Sequence, residues 1–210
     1  RCYDFIEKNN KIAFRTCPEI EKDRLVFQMG TADPNLAVQA AKMVVNDVSA
    51  IDVNSGCPVS KFGIVYISKL TFSRNIFRFV CNYYYLLDKY WDVFLFYINI
   101  TDSGMGAALL KTPDKLVSIL SSLVNQVGKP FNIPISVKIR LLESEEKTLT
   151  LVERLVTTGI KCLTIHCRTT PMRPREPSIR TSLKKISDTC HKAGVMCLVN
   201  GDIEGFNDLN

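Results

Sequence analysis

Histidine and paired cysteine are both scarce in this chain of 210 residues. Only two histidines are present, and the eight cysteines include no C-x-x-C pair. Structural zinc sites are usually built from such pairs, so we expect no bound metal. A chain of this length can bury a full core without disulfide staples. We therefore expect free thiols and a reducing compartment, either the cytoplasm or the nucleus.

Long apolar runs without charge are also missing. A membrane-spanning helix needs about 18 such residues in a row, and no charged segment followed by an apolar one opens the chain, as a secretory signal would. These absences argue against a membrane protein and against secretion. The net charge of +6 is a mild basic excess, which permits an anionic partner without requiring one. Because the first residue is Arg1 and not Met, we expect the sequence to be part of a longer protein.

Short apolar runs alternate with capped amphipathic stretches along most of the chain. Strands are predicted at 11–15, 24–29, 133–139, 161–166 and 195–200, and within 51–58. Helices are predicted to start at Asp33-Pro34 and at Thr112-Pro113, each a cap followed by proline, the second ending at Gly128. Two more are expected at 144–159 and 178–192. The first helix has an apolar stripe of Leu36, Val38, Ala40, Ala41, Val44 and Val45. This alternation predicts a parallel sheet covered by helices.

Polar side chains stand where most of the predicted strands end. The stretch Ile51–Pro58 reads IDVNSGCP, which indicates a buried strand that carries a thiol into a tight loop. The strand-end residues are Gln28, Asn54 with Cys57, Lys138, His166 and Asn200. In a (β/α)8 barrel these ends converge on one mouth and form one pocket. A doubly wound sheet is the alternative, and it would gather only the residues beside its switch point.

Several segments together carry a resemblance to a known family. They are Phe14-Arg15-Thr16-Cys17, Asp23 to Asp33, Ala37 to Pro58, Ser103 to Leu110, Val137 to Arg140, His166-Cys167-Arg168 and Asn200-Gly201. With them the chain resembles the tRNA-dihydrouridine synthases, and among these the eukaryotic type that acts at position twenty of the D-loop. The resemblance implies an α/β fold, a (β/α)8 TIM barrel that is incomplete at both ends in this chain. It also implies that the family's helical C-terminal tRNA-binding domain is absent.

The activity implied by the resemblance is reduction of the C5=C6 bond of a uridine in tRNA. FMN would supply a hydride to C6, and NADPH or NADH would reduce the flavin. A positioned acid must give a proton to C5, and Cys57 stands where the family has that acid. tRNA is the implied partner, and we expect a monomer. A small buried apolar side chain is the alternative role for Cys57.

The resemblance also assigns residues to the cofactor, namely Gln28, Lys138, His166, Asn200, Gly201 and Asp202. Lys138 would lie beside the flavin ring, where a cation stabilises the reduced, anionic form. Gln28 and His166 would contact the ring, and the other three match the segment that binds the phosphate. The family usually has a second glycine where Asp202 stands. Lys138 could instead form an interior salt bridge or a Schiff base, and His166 could be a hydrogen-bonded core imidazole.

Four residues are predicted to contact the substrate. Asn54 matches a strand-end asparagine that could orient either the uracil or the catalytic loop. Arg168, Arg173 and Arg175 are predicted contacts to the tRNA backbone, because guanidinium groups fit phosphate geometry. Solvated surface positions are the alternative for these loop arginines.

Residues 63–102 depart from the family pattern. They hold twelve of the nineteen aromatic residues, and they contain no Ala, Pro, Glu, Gln, His or Met. The family joins its Gly-Cys-Pro and Gly-Met-Gly motifs through a few residues, and translated AT-rich noncoding sequence is rich in Phe, Tyr, Ile, Asn and Lys. We therefore interpret this stretch as an insertion and hypothesise a retained intron. If these residues are present in the protein, we expect an aromatic lid or an aggregation-prone loop.

Two other functions stay open at this point. One is an inactive fragment or tRNA-binding remnant of such an enzyme. The other is a different flavin barrel that reduces a small pyrimidine, which would act on free base without tRNA.

Overall fold

The fold is built on a parallel sheet of five strands. A computed structural model describes residues 3–6, 12–58, 104–173 and 175–203 of the chain. An antiparallel pair of its own comes first, β1 (Tyr3–Ile6) with β2 (Ile12–Thr16). The parallel sheet contains β3 (Val26–Met29), β4 (Ala50–Ser55), β5 (Ile135–Leu141), β6 (Cys162–Thr169) and β7 (Met196–Asn200). β1 was not expected from the sequence.

The order of these strands distinguishes the two candidate folds. β3 to β7 lie side by side in chain order, and each neighbouring pair is parallel. A doubly wound sheet requires a point at which the order reverses, and the five described strands contain none. The sheet is therefore an arc of a (β/α)8 barrel, which confirms the predicted fold class.

Helices connect the strands and cover one face of the sheet. They are α1 (Pro18–Glu21), α2 (Pro34–Val44), α3 (Pro113–Leu123), α4 (Lys129–Phe131), α5 (Glu145–Val156) and α6 (Leu183–Lys192). A 3₁₀ segment, Gly106–Lys111, precedes α3, and a π turn, Val124–Gly128, follows it. None of the helices in the described part of the chain is both long and apolar enough to cross a bilayer.

Two of the helix starts show the predicted capping. The Asp33 carboxylate accepts hydrogen bonds from the backbone N–H groups of Asn35 (2.8 Å) and Leu36 (2.9 Å). The Ser144 hydroxyl accepts one from the N–H of Lys147 (3.2 Å). These side chains satisfy donors that the first helical turn leaves without partners. Thr112 makes no such bond, although α3 begins after it as expected.

Three details of the helix predictions were wrong. Leu36 is 61% exposed, and Ala37 is buried instead, because Ala37 lies one turn before the buried Ala41 on the same side of the helix. The helical run that begins with α3 does not stop at Gly128 but continues to Phe131, where Asn132 ends it with a left-handed backbone (φ 51°). α6 begins at Leu183 and not at residue 178.

Gly128 was predicted to end a helix, but its role in the structure is close packing. A Cβ atom at this position would lie 3.1 Å from Cγ1 of Ile135 and 3.2 Å from the carbonyl oxygen of Ile133. The π turn therefore approaches the start of β5 closely, and only a glycine fits there without displacement of its neighbours.

The core lies between the helices and one face of the sheet. The strand side chains of this face are at most 2% exposed: Ile51, Val53, Ile135, Val137, Ile139, Leu163 and Ile165. They pack in one cluster with helix residues that include Val38, Leu120, Val152 and Ile186. Because successive strand residues point to opposite faces, the residues between them, such as Asp52 and Lys138, lie on the other face.

One buried group in this core is unsatisfied. The Ser55 hydroxyl is fully buried and has no hydrogen-bond partner among the described residues. Such a group costs about 1–3 kcal/mol, so Ser55→Ala is expected to raise the free energy of unfolding by about 1 kcal/mol in urea denaturation. Thr16→Val is the matched control, because the equally buried Thr16 hydroxyl donates to Asp47 Oδ2 at 2.8 Å. A destabilised Ser55→Ala variant would contradict the assignment.

The cysteines differ in state. Cys57, Cys162, Cys167, Cys190 and Cys197 are free, as expected. Cys17 is disulfide-bonded, so the expectation of free thiols is wrong at that position. Burial raises the pKa of Cys162 to about 12 and that of Cys167 to about 11, so both thiols stay protonated at neutral pH.

Candidate functional site

The polar face of the sheet brings the predicted strand-end residues together. Register places Asn54 of β4 opposite Lys138 of β5, and His166 of β6 opposite Asn200 of β7. The Gln28 side chain on β3 reaches Asn54, whose Nδ2 donates to Gln28 Oε1 at 3.2 Å. Residues far apart in the chain thus line one surface, as a barrel mouth requires.

The loop that carries Cys57 is held by Asn54. The Oδ1 atom of Asn54 accepts hydrogen bonds from the N–H groups of Gly56 (3.0 Å) and Cys57 (3.1 Å). This Asx-type turn fixes the backbone immediately after β4. The backbone of Cys57 is thus held in position, while its free thiol is half-buried and still accessible.

Arg140 holds the same loop from β5. Its Nε donates to the carbonyl oxygen of Gly56 at 2.8 Å, and its Nη1 donates to that of Thr169 at 3.0 Å. Arg140 is only 9% exposed, so these bonds form largely out of water and satisfy a buried charge. In the sequence, Arg140 lies in one of the segments that resemble the family, and the only signal of its role is that it is a second cation in an apolar strand.

The segment that begins at Gly104 contacts the Cys57 loop. The N–H of Ala107 donates to the carbonyl oxygen of Cys57 at 3.0 Å. This contact places Gly104 to Gly106 in a loop that closes back on the cysteine. The predicted insertion, 63–102, lies outside the described residues.

Lys138 and His166 form the next part of the polar face. Nζ of Lys138 donates to Oδ1 of Asn200 at 3.4 Å. His166 is half-buried, and burial together with the positive charges of Lys138, Arg140 and Arg168 lowers its pKa to about 3. The imidazole is therefore neutral at physiological pH.

Arg168 determines which tautomer His166 adopts. Nη1 of Arg168 lies 3.3 Å from Nε2 of His166. A guanidinium group can only donate, so Nε2 must accept, and the proton of the neutral ring resides on Nδ1. His166 thus offers an N–H donor at Nδ1.

Arg168 is committed to groups inside the fold. Its side chain is 6% exposed, forms an ion pair with Asp202, and donates through Nε to the carbonyl oxygen of Glu176 at 2.7 Å. Against partial burial, which would raise it, hydrogen bonds from Arg168 and Ser178 hold the pKa of Asp202 below its usual range. This geometry gives Arg168 a structural role in the β6 loop, and its contact with tRNA stays a prediction.

Gly201 and Asp202 form a turn packed against His166. Gly201 has φ +121°, and a Cβ atom there would lie 3.3 Å from Cδ2 of the imidazole, so the position requires glycine. Arg180, which the sequence analysis did not select, donates to the carbonyl oxygen of Asp202 at 2.6 Å. The turn is thereby fixed from two sides.

The remaining predicted substrate residues lie apart from this network. Arg173 and Arg175 are exposed in the loop between β6 and α6. Their guanidinium groups are accessible to an anionic partner. The described residues contain no group of three or more His, Cys, Asp or Glu side chains that could hold a metal ion.

A buried carboxylate, Asp52, lies on β4 two residues before Asn54 and was not predicted from the sequence. Asp52 is 8% exposed and accepts hydrogen bonds from Gln28 Nε2 (2.7 Å) and the Ser136 hydroxyl (2.6 Å). Burial raises the pKa of Asp52, while these two hydrogen bonds and the charge of Lys138 act against that increase. The sequence offered only a weak signal, an acidic residue within an apolar strand.

The neutral state of His166 predicts a pH dependence of stability. Its pKa of about 3 in the folded protein lies below the 6.5 of the free side chain, so the unfolded chain binds more protons between these values. Stability is therefore lost as pH falls from about 6.5, with a slope of at most about 1.4 kcal/mol per pH unit. We expect the free energy of unfolding of His166→Gln to change less with pH than that of the wild type. Urea denaturation of both proteins at pH 4.5 to 7.5 measures this difference. The exposed His191 is the control, and an equal effect of His191→Gln would contradict the prediction.

Comparisons with known proteins agree on one family. A sequence model described as dihydrouridine synthase (Dus) matches residues 4–63 and 98–210. The tRNA-dihydrouridine(20) synthase [NAD(P)+] of Schizosaccharomyces pombe is 45% identical over 208 residues, 99% of this chain and 35% of the relative. The Saccharomyces cerevisiae protein of the same name is 42% identical over 94% of this chain and 42% of its own length. A human tRNA-dihydrouridine(20a/20b) synthase [NAD(P)+]-like protein is 24% identical over 88% of the chain. The chain thus spans about two fifths or less of the yeast relatives.

Proposed function

The chain belongs to the dihydrouridine synthase family, and from this premise we propose that the protein reduces uridine to 5,6-dihydrouridine in the D-loop of tRNA. The proposed cofactor is FMN. The proposed reductant is NADPH or NADH, in line with the NAD(P)+ in the names of the two yeast relatives. Saturation of the C5=C6 bond requires a hydride at C6 and a proton at C5. Flavin supplies the hydride when bound and reduced.

The observation that carries the proposal is the fixed Cys57 loop beside the polar face. Asn54 binds the Gly56 and Cys57 N–H groups, and Arg140 binds the Gly56 carbonyl oxygen. In the proposed reaction the Cys57 Sγ–H bond breaks and its proton goes to C5 of the uracil. A proton donor must be held within hydrogen-bond reach of its target, and a loop fixed at both N–H and C=O groups provides this.

Gln28 and His166, two of the residues proposed to hold the flavin, have hydrogen-bonding capacity left. Gln28 uses one amide N–H for Asp52 and one lone pair of Oε1 for Asn54, which leaves one donor and one acceptor. Lys138 brings a positive charge to the same face, and His166 offers Nδ1–H. These groups suit the heteroatoms of an isoalloxazine ring. Asn200, Gly201 and Asp202 are proposed for the phosphate.

tRNA contacts are proposed for the exposed Arg173 and Arg175, whose charge suits the phosphate backbone. Asn54 is proposed to act on the uracil through the catalytic loop that it holds. We further propose a monomer that works in the cytoplasm or nucleus.

The direct test is an assay of the purified chain with FMN, NADPH or NADH and an unmodified tRNA transcript. Mass spectrometry of the digested nucleosides measures dihydrouridine. We expect its formation to require tRNA and both cofactors. Turnover of free uracil without tRNA would favour a small-pyrimidine reductase, and bound flavin without dihydrouridine would favour an inactive remnant.

We also propose that residues 63–102 are dispensable and come from a retained intron. The hydrogen bond from Ala107 N–H to the Cys57 carbonyl oxygen places these two residues side by side, so a short link is enough to join the segments that carry them. The family match omits 64–97. Sequencing the mature transcript across this region is expected to show a message without these codons, and a message that retains them would rule out the intron.

A further inference from the structure

A continuous series of hydrogen bonds links Asp52 to the Cys57 loop. The Asp52 carboxylate accepts from Nε2 of Gln28 at 2.7 Å. Oε1 of Gln28 accepts from Nδ2 of Asn54 at 3.2 Å, and Oδ1 of Asn54 accepts from the Gly56 and Cys57 N–H groups. Each amide in the series donates toward Asp52 and accepts from the side of the loop.

The direction of this series is set by the groups at its two ends, Asp52 and the N–H groups of the Cys57 loop. An amide can be turned end for end with little change in shape, so Gln28 and Asn54 do not fix their own orientation. Both oxygens of Asp52 accept hydrogen bonds, Oδ1 from Ser136 and Oδ2 from Gln28, so Asp52 holds the NH2 group of Gln28 toward itself. The carbonyl of Gln28 then faces Asn54, whose own carbonyl must face the loop.

We propose that Asp52 is a positioning residue that sets the amide orientations of Gln28 and Asn54 and thereby fixes the loop that carries Cys57. The geometric part holds without any ligand, and its importance for proton donation rests on the function proposed above. With the opposite orientation, the Asn54 NH2 group would face two N–H donors, and both hydrogen bonds to the loop would be lost.

Ser136 makes the inference testable with an isosteric change. Its hydroxyl lies 2.6 Å from Asp52 Oδ1 but 3.5 Å from another acceptor, the carbonyl oxygen of Ile51. In Asp52→Asn the serine therefore continues to donate to the oxygen at position 52. The new NH2 group then faces Gln28 and reverses the series.

The experiment measures hydrogen exchange of the Gly56 and Cys57 amides by NMR at pH 7, without flavin or tRNA. Asp52→Asn is expected to accelerate both amides by roughly tenfold, the consequence of losing about one hydrogen bond each. Ser136→Ala is the matched control: it also removes a hydrogen bond from Asp52 but leaves the acceptor-only carboxylate, so the two amides should exchange as in the wild type. Exchange in β5 reports any general loss of stability.

A second substitution tests whether the loop depends on the amide orientations or simply on a carboxylate at position 52. In the double variant Gln28→Glu with Asp52→Asn, the carboxylate at position 28 accepts from both residue 52 and Asn54. Protection of Gly56 and Cys57 should return, and it should be present even if the single variant does not fold. Unchanged exchange in Asp52→Asn, or no protection in the folded double variant, would overturn the proposal. Because no step uses activity, failure of the proposed reaction would leave this result intact.

Discussion

Replacing Cys57 with alanine is expected to lower dihydrouridine formation by about 10²–10⁴-fold while flavin binding is retained. Alanine removes only the Sγ atom and its proton. The loop contacts of residue 57 use backbone atoms, the N–H that donates to Asn54 and the carbonyl oxygen that accepts from Ala107. The variant therefore removes the acid while the hydrogen bonds that hold the loop are kept.

The measurement for this variant is single-turnover conversion of a tRNA transcript, together with flavin absorbance of the purified protein. Cys162→Ala is the matched control, because Cys162 is also a free, half-buried thiol but begins β6 at the opposite end from the Cys57 loop. We expect that control to keep full activity. If Cys57→Ala were equally active, Cys57 could not be the proton donor.

Replacing Lys138 with methionine is the second change with a large expected effect, a decrease of about 10²-fold or more in tRNA reduction. Methionine keeps most of the side-chain volume on β5 but removes the positive charge from the polar face. A preorganised charge beside a group that becomes anionic stabilises that state far more than water does. Lys138→Arg keeps the charge and should keep part of the activity.

The Lys138 variants also distinguish an electrostatic role from a covalent one. Arginine cannot form a Schiff base, so residual activity in Lys138→Arg would exclude the lysine nucleophile. An independent readout is the pKa of His166, which the charge of Lys138 helps to lower. NMR titration should show that pKa rising in Lys138→Met. The exposed Lys184→Met is the control, and unchanged turnover in Lys138→Met would contradict the role.

Much of the site could be predicted because it depends on residues that are close together in the chain. Asn54 and Cys57 follow an apolar strand within a few residues, and the Asp33-Pro34 pair marks a helix start through contacts only two or three residues away. The predicted strand ends also placed Lys138 and His166 at one mouth. Such features depend on backbone geometry that neighbouring residues impose.

The residues that sequence reasoning missed have partners far along the chain. Ser136 binds Asp52 across 84 positions, and Arg140 binds Gly56 across the same separation. In the sequence these residues only interrupt apolar strands. Their roles depend on which strands become neighbours, which local periodicity does not encode.

The sequence by itself determined the alternation of strands and helices, the caps and the polar strand ends, because each depends on residues close in the chain. Tertiary structure alone decided that the strands lie in sequential order, that Arg168 is buried against Asp202, and that Asp52 stands behind the Cys57 loop. The physical reason is that a buried charged group is stable only with a partner. Only the assembled sheet brings that partner within hydrogen-bond distance.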